Sequence, residues 1–179
     1  MRQYKPSSSI KTSGKSSRHK RAGKKAQSSG KQAEQFMLST DINGLVYKRY
    51  EPYKRLTGGT IFKAQSLEKS GCDYSVFTST ASGMIEVKSR DSDRISLSAL
   101  DETQHGQLQA LSEMGLIALV LVRLTSGWYV IPYPLFKTPP NGKKSWNSAD
   151  LTALSCQVSV VDGVMLLQSH INKHYTPTT

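Results

Sequence analysis

Asp73, Glu86 and Lys88 are the residues of this 179-residue chain whose types and spacing could do chemistry. Glu86-Val87-Lys88 follows Asp73 of Gly71-Cys72-Asp73-Tyr74 by thirteen positions. Magnesium wants oxygen ligands and keeps several waters, so two carboxylates with a neighbouring ammonium can hold it against a phosphodiester. In that reading Asp73 and Glu86 are the ligands and Lys88 orients the attacking water or steadies developing charge. On a strand, side chains alternate between faces, so Glu86 and Lys88 point one way while Ile85 and Val87 point into a core. A hairpin from Asp73 to Lys88, with its turn around Ser79 to Gly83, sets Asp73 roughly opposite Glu86, although sequence does not fix the register. The same tripeptide on an exposed hairpin is a surface ion pair that contributes little to stability. The upstream Asp, the apolar Ile85 and Val87, and the helix and buried strand that follow favour the site.

Those following elements have clear local signals. Leu100-Asp101-Glu102-Thr103-Gln104 leads into Leu108, Leu111 and Met114 at helical spacing, with Gly115 at the C-terminal cap. Leu116 to Leu124 is nearly unbroken, Val-rich and apolar, which predicts a strand buried on both faces. Ser126-Gly127 turns it into Trp128-Tyr129-Val130-Ile131, where Pro132 suggests the sheet edge. Upstream, Lys31 to Leu38 reads as a short helix with Ala33, Phe36 and Met37 on one side. Asn43-Gly44 marks a turn, and Leu45 to Tyr50 a strand ended by Pro52. Tyr50 to Gly59 reads as an exposed loop or protruding hairpin. Near the end come a loop at Pro139 to Gly142, a capped turn at Ser148 to Leu151, and an apolar segment from Val158 to Leu167 whose type stays open. His105 reads as a helix-surface residue, and no two histidines have ligand spacing.

The charge is concentrated at one end. Residues 1 to 31 carry ten of the 24 Lys and Arg residues and no Asp or Glu, leaving 14 basic against 13 acidic residues in the remainder. That segment is rich in Ser, Lys and Gly and has too little apolar surface to offset its ordering entropy. We expect a disordered basic tail over 1–28 and one domain over 29–179. The basic, acid-free tail also leaves a transit peptide as an alternative, although it lacks an amphipathic apolar face. No secretory signal or membrane-length apolar stretch is visible, and Cys72 and Cys156 are too few for a disulfide framework or zinc site. The expected setting is the cytoplasm, with neither membrane nor small-molecule substrate.

In order and spacing these motifs resemble the PD-(D/E)xK restriction-endonuclease-like nucleases, most closely the RecU-type Holliday junction resolvases. The resemblance runs from about Gly30 to about Ile171. Gly30-Lys31-x-x-Glu34 is similar to the family's opening G-K-x-x-E, Gly44 to Tyr50 with Pro52 to its next strand, and Asp73-Tyr74 to its D-Y. Glu86-Val87-Lys88 matches its E-A-K, Gln104 falls where the family has a helical Gln, and Asn141 to Ser145 resembles its late G-R-K-S turn. The implied fold is α/β, a restriction-endonuclease-like mixed β-sheet flanked by helices.

The implied activity is a magnesium-dependent endonuclease, with manganese substituting, that nicks opposing strands of a four-way DNA junction as a homodimer. Its implied setting is recombination, repair or phage DNA processing, near the nucleoid or in phage-infected cytoplasm. Asp73 and Glu86 would hold the metal, Lys88 would assist the water, Glu34 would reach the site from the first helix, and Gln104 would support it. The chain departs from the family at Cys72, where a hydroxyl residue is common, and in a short segment between Tyr50 and Asp73. Both departures bear on junction selectivity.

Several residues support two readings. Glu34 early in a helix is stabilised by the dipole without any function, and Gln104 stands three residues after Asp101, the spacing of a capping box. Arg18, Lys20, Arg21, Lys24 and Lys25 in the tail form a footprint that DNA phosphates would neutralise, or a solvated charge run. Lys48, Arg49, Lys54 and Arg55, beside Tyr50 and Tyr53, could grip DNA or stack at junction bases, or the tyrosines could pack in the core. The alternatives to a resolvase are a nuclease for other branched or duplex DNA and a non-catalytic basic DNA-binding module.

Overall fold

The computed structural model describes residues 40–48 and 71–175, residues 30, 32–34 and 37, and the backbone of 53–55 and 64–66. The basic tail, including Arg18, Lys20, Arg21, Lys24 and Lys25, lies outside the described residues, as do Arg49, Tyr50 and the side chains of Lys48, Tyr53, Lys54 and Arg55.

A six-stranded mixed sheet flanked by helices organises the chain, as the sequence predicts. β1 (Gly44–Lys48) begins directly after the Asn43-Gly44 turn. β2 (Tyr53–Arg55) and β3 (Ala64–Ser66) pair with each other as a separate antiparallel ladder, consistent with the hairpin option for this segment. β4 (Tyr74–Thr78) and β5 (Ser82–Ser89) form the hairpin that carries Glu86 and Lys88. β6 (Arg94–Ser96) leads to α1 (Glu102–Glu113), which crosses back to β7 (Ile117–Leu124), paired parallel to β5. β8 (Gly127–Pro132) returns antiparallel. After α2 (Tyr133–Phe136), β9 (Ser145–Asn147) pairs with β6, and α3 (Ser148–Ala153) and β10 (Gln157–Val158) follow. The strand order is β1-β4-β5-β7-β8-β10. The undecided Val158 to Leu167 segment is β10 followed by a tight hairpin, β11 (Val160–Val161) and β12 (Val164–Met165), before α4 (Gln168–Tyr175).

β7 explains why both faces of this sheet are packed. Ile117, Leu119 and Leu121 join a core with Ala33, Met37, Tyr74, Ile85, Val87 and Ile171. Ala118, Val120, Val122 and Leu124 join a second core with Leu108, Phe136, Trp146 and Leu151. A continuous apolar run is what such a two-sided strand requires.

Some expectations need correction. Glu86 does not stand on a face reserved for chemistry, because α1 covers that face and buries its carboxylate to 1 % exposure. Met114 is exposed, since the helix has reached its C-cap there and Gly115 turns away with φ +70°. β8 is not the last strand, but β10 pairs only with Trp128 and Tyr129, so the Pro132 end lacks a strand neighbour beyond it among the described residues. His105 is half-buried rather than a surface residue. Its Nε2 lies 3.2 Å from the Leu97 carbonyl and its Nδ1 3.0 Å from the Tyr133 hydroxyl. A carbonyl can only accept, so Nε2 carries the proton and Nδ1 accepts from Tyr133. Among the described residues no helix is long and apolar enough to cross a membrane.

Candidate active site

The β4–β5 register pairs Tyr74 with Ile85 and Ser75 with Met84, so Asp73 falls opposite Glu86 one step further along. Thr78 sets the turn: its Oγ1 accepts from the Ala81 amide at 2.9 Å and donates to the Ala81 carbonyl at 2.9 Å. Beyond the turn, two reciprocal bonds lock the acidic pair. The Asp73 amide donates to Glu86 Oε2 at 3.1 Å, and the Val87 amide donates to Asp73 Oδ2 at 2.9 Å. Each carboxylate is thus held by the other strand's backbone.

Lys88 and Gln104 complete the cluster. Lys88 Nζ lies 2.5 Å from Glu86 Oε1, and Gln104 Nε2 donates to the same oxygen at 2.8 Å. Lys88 also donates to Gln104 Oε1 at 3.2 Å. Asp73, Glu86 and Lys88 therefore converge, and Gln104 joins them from α1. The surface-pair reading of Glu86 and Lys88 fails, because the carboxylate is buried and the lysine only 18 % exposed.

Gln104 closes the helix start and also reaches the cluster. Asp101 Oδ1 accepts from the Gln104 amide at 3.0 Å, and the Asp101 amide donates to Gln104 Oε1 at 3.1 Å, a complete capping box. The side-chain amide nitrogen then reaches Glu86. Gln104→Ala should lower stability by roughly 1–3 kcal/mol, because it opens the helix cap and removes a donor from a buried carboxylate. Urea denaturation checks this, and an unchanged midpoint and slope would contradict it.

Burial, then the charge of Asp73, pushes the Glu86 carboxyl up to about 8, against the opposing pull of Lys88 and the Asp73 amide. The upward direction follows from the near-complete enclosure of Glu86 and the second carboxylate it faces. Tyr74 reports the same crowding from the opposite face. Its hydroxyl donates to the Glu34 carbonyl oxygen, and burial, then Glu34 and Asp73, push its phenol up. Glu34 is thereby placed on the helical segment beside Tyr74, with its charge felt there.

Gln107 is a residue that the sequence reading missed. Its Oε1 accepts from the Cys72 amide at 3.1 Å and so fixes the chain just before Asp73. Its position three residues after Gln104 places both on one helical face, which is the signal that could have found it.

No group of three or more His, Cys, Asp or Glu able to hold a metal occurs among the described residues. The donor set nonetheless fits a hard divalent cation, since one or two carboxylates with water and a substrate phosphate is magnesium's usual setting. Burial first and the Asp73 charge second raise the Glu86 carboxyl, and a cation held there would favour its ionised form against both.

No protein-family model matches this sequence, and no curated protein matches it. Among solved structures the chain is similar to Hjc, a Holliday junction resolvase from the archaeal hyperthermophile Archaeoglobus fulgidus. That similarity has 15 % identity and a TM-score of 0.39, and covers 62 % of this chain and 82 % of the other.

Proposed function

We propose that the chain is a magnesium-dependent DNA endonuclease, acting on four-way junctions as a homodimer. The observation that carries the reading is the Asp73–Glu86–Lys88–Gln104 cluster around the buried Glu86, in which two carboxylates and an ammonium are held by backbone and helix-cap bonds. The concentration of positive charge in residues 1–31 and the motif order support DNA as the substrate.

Asp73 and Glu86 would hold magnesium, or manganese in its place. The ion supplies positive charge beside the phosphodiester as negative charge builds up on its oxygens. The protein's own groups do the positioning. The Asp73 and Val87 amides fix the two carboxylates before any ligand arrives, which removes reorganisation from the chemical step. Lys88 places an ammonium at the edge of the cluster, where it can orient an attacking water or donate to a phosphate oxygen. Gln104 holds both Glu86 and Lys88, and so sets the direction in which that ammonium points.

Incubation with labelled four-way junction and magnesium tests the reading against linear duplex, flap and single strand at one salt concentration. We expect paired nicks in the junction and slower cutting elsewhere. Preference for another substrate would leave a nuclease and remove the resolvase. Absence of magnesium-dependent cutting on every substrate would leave a basic DNA-binding module. Deleting residues 1–28 should flatten the fall of log affinity with log salt, by about 0.9 for each phosphate that the tail no longer neutralises. An unchanged slope would separate the tail from DNA.

A further inference from the structure

A groove of about 420 Å³ opens at the ends of β5, β7 and β8, lined by Arg90, Asp91, Arg123, Thr125 and Trp128 among others. We propose that this groove is a second nucleic-acid subsite, which takes a phosphate on Arg90 and Arg123 and an adjacent base or sugar against Trp128. The proposal rests on the reading of the chain as a DNA enzyme and deepens it by naming where the strand is held beyond the cluster.

The two guanidiniums are tied to one piece of backbone. Arg123 pairs with Ser89 in the β5–β7 ladder, and the Arg90 amide continues that ladder by donating to the Arg123 carbonyl at 2.9 Å. Trp128 pairs with Arg123 across β7 and β8. Rigid strand ends therefore present two forked donors and a ring together. Among the described residues neither arginine forms an ion pair: Arg90 donates to the Ser89 carbonyl at 2.9 Å and Arg123 to Gln32 at 3.5 Å. Asp91 also lines the groove, so among the described residues there two cations face one carboxylate. The nearby Asp93 accepts from Thr125 and from the Ser126 amide. Guanidiniums suit phosphate geometry, and an aromatic ring beside them suits a base of any identity.

Position favours DNA over a free anion. Arg90 is two residues beyond Lys88, roughly 7 Å along an extended chain, so the groove lies at the end of the strand that carries the cluster, where a bound strand would pass round the sheet end. Arg123 also touches Gln32, which directly follows Lys31, the last cation of the acid-free segment. Gln32, the residue that follows that segment in sequence, therefore lies beside the groove.

The chain has two tryptophans, and Trp146 is buried with its Nε1 donating to the Phe136 carbonyl at 3.0 Å. Tryptophan quenching by DNA thus reads Trp128. With the full chain and a four-way junction in EDTA, we expect quenching that Trp128→Phe removes. Arg90→Ala with Arg123→Ala should weaken binding on the order of tenfold and reduce the salt slope by about 0.9, the share of one neutralised phosphate. Arg90→Lys with Arg123→Lys should keep most of the slope, which separates charge from misfolding. Quenching that persists in Trp128→Phe, or affinity and slope unchanged in the double alanine variant, would overturn the subsite. A wild-type chain that shows quenching and slope but never cuts with magnesium would sink the nuclease reading and leave the groove standing.

Discussion

Asp73→Asn is expected to lower magnesium-dependent junction cutting on the order of a thousandfold while binding in EDTA stays within about threefold, consistent with removal of one preorganised electrostatic interaction. The asparagine carbonyl can still accept from the Val87 amide, so the hairpin keeps its lock while the negative charge that would hold the ion is gone. Glu86→Gln should be equally inactive but structurally less clean. Its Oε1 accepts from both Lys88 and Gln104, and its Oε2 from the Asp73 amide, whereas an amide nitrogen accepts from none of them. Single-turnover cleavage beside fluorescence anisotropy reads both quantities. Retained cutting by Asp73→Asn would remove the site.

The second large effect concerns stability without metal. The Glu86 carboxyl rises from 4.5 to about 8 on folding, so between those values the folded state holds a proton that the unfolded state has released. Stability therefore falls as pH rises through that window and levels off above about 8. At about 1.4 kcal/mol per pKa unit, the whole loss is at most ~5 kcal/mol. His170 and His174 are held below their ordinary value of 6.5, chiefly by burial, and act in the opposite direction as the unfolded chain loses its last histidine protons around that pH. Comparison with Glu86→Gln separates the glutamate from them. Urea denaturation in EDTA at pH 6.5 and 8.5 should show the drop, Glu86→Gln should abolish it, and Asp73→Asn should shrink it by removing the second cause of the shift. Magnesium should restore stability most at the higher pH, where the carboxylate is ionised. A wild-type profile that stays flat or rises over this interval would contradict the assignment.

Much of this arrangement was legible because its causes are local. Alternation placed Ile85 and Val87 against Glu86 and Lys88, the short turn set Asp73 opposite Glu86, and Asp101 with Gln104 announced the start of α1. The apolar run of β7 showed that both its faces are covered. The remainder depends on what meets across the fold. Periodicity did not show that α1 covers the Glu86 face, so an apolar stripe and a polar cluster came to share one side of the sheet. Nor did it show that His105 would be caught between Leu97 and Tyr133. β6 and β9 are three residues each and meet through a long-range pairing, and β10 to β12 are two residues each, too short for a period to register.

Gln104 closes the start of α1 and grips Glu86 with the same amide group. Fraying of that first turn consequently releases Glu86 Oε1 and Lys88 from Gln104 in one event, while the strand amides still hold the two carboxylates. The fraction of molecules with the ammonium held in place is then bounded by local opening of a single turn, well before the sheet itself gives way.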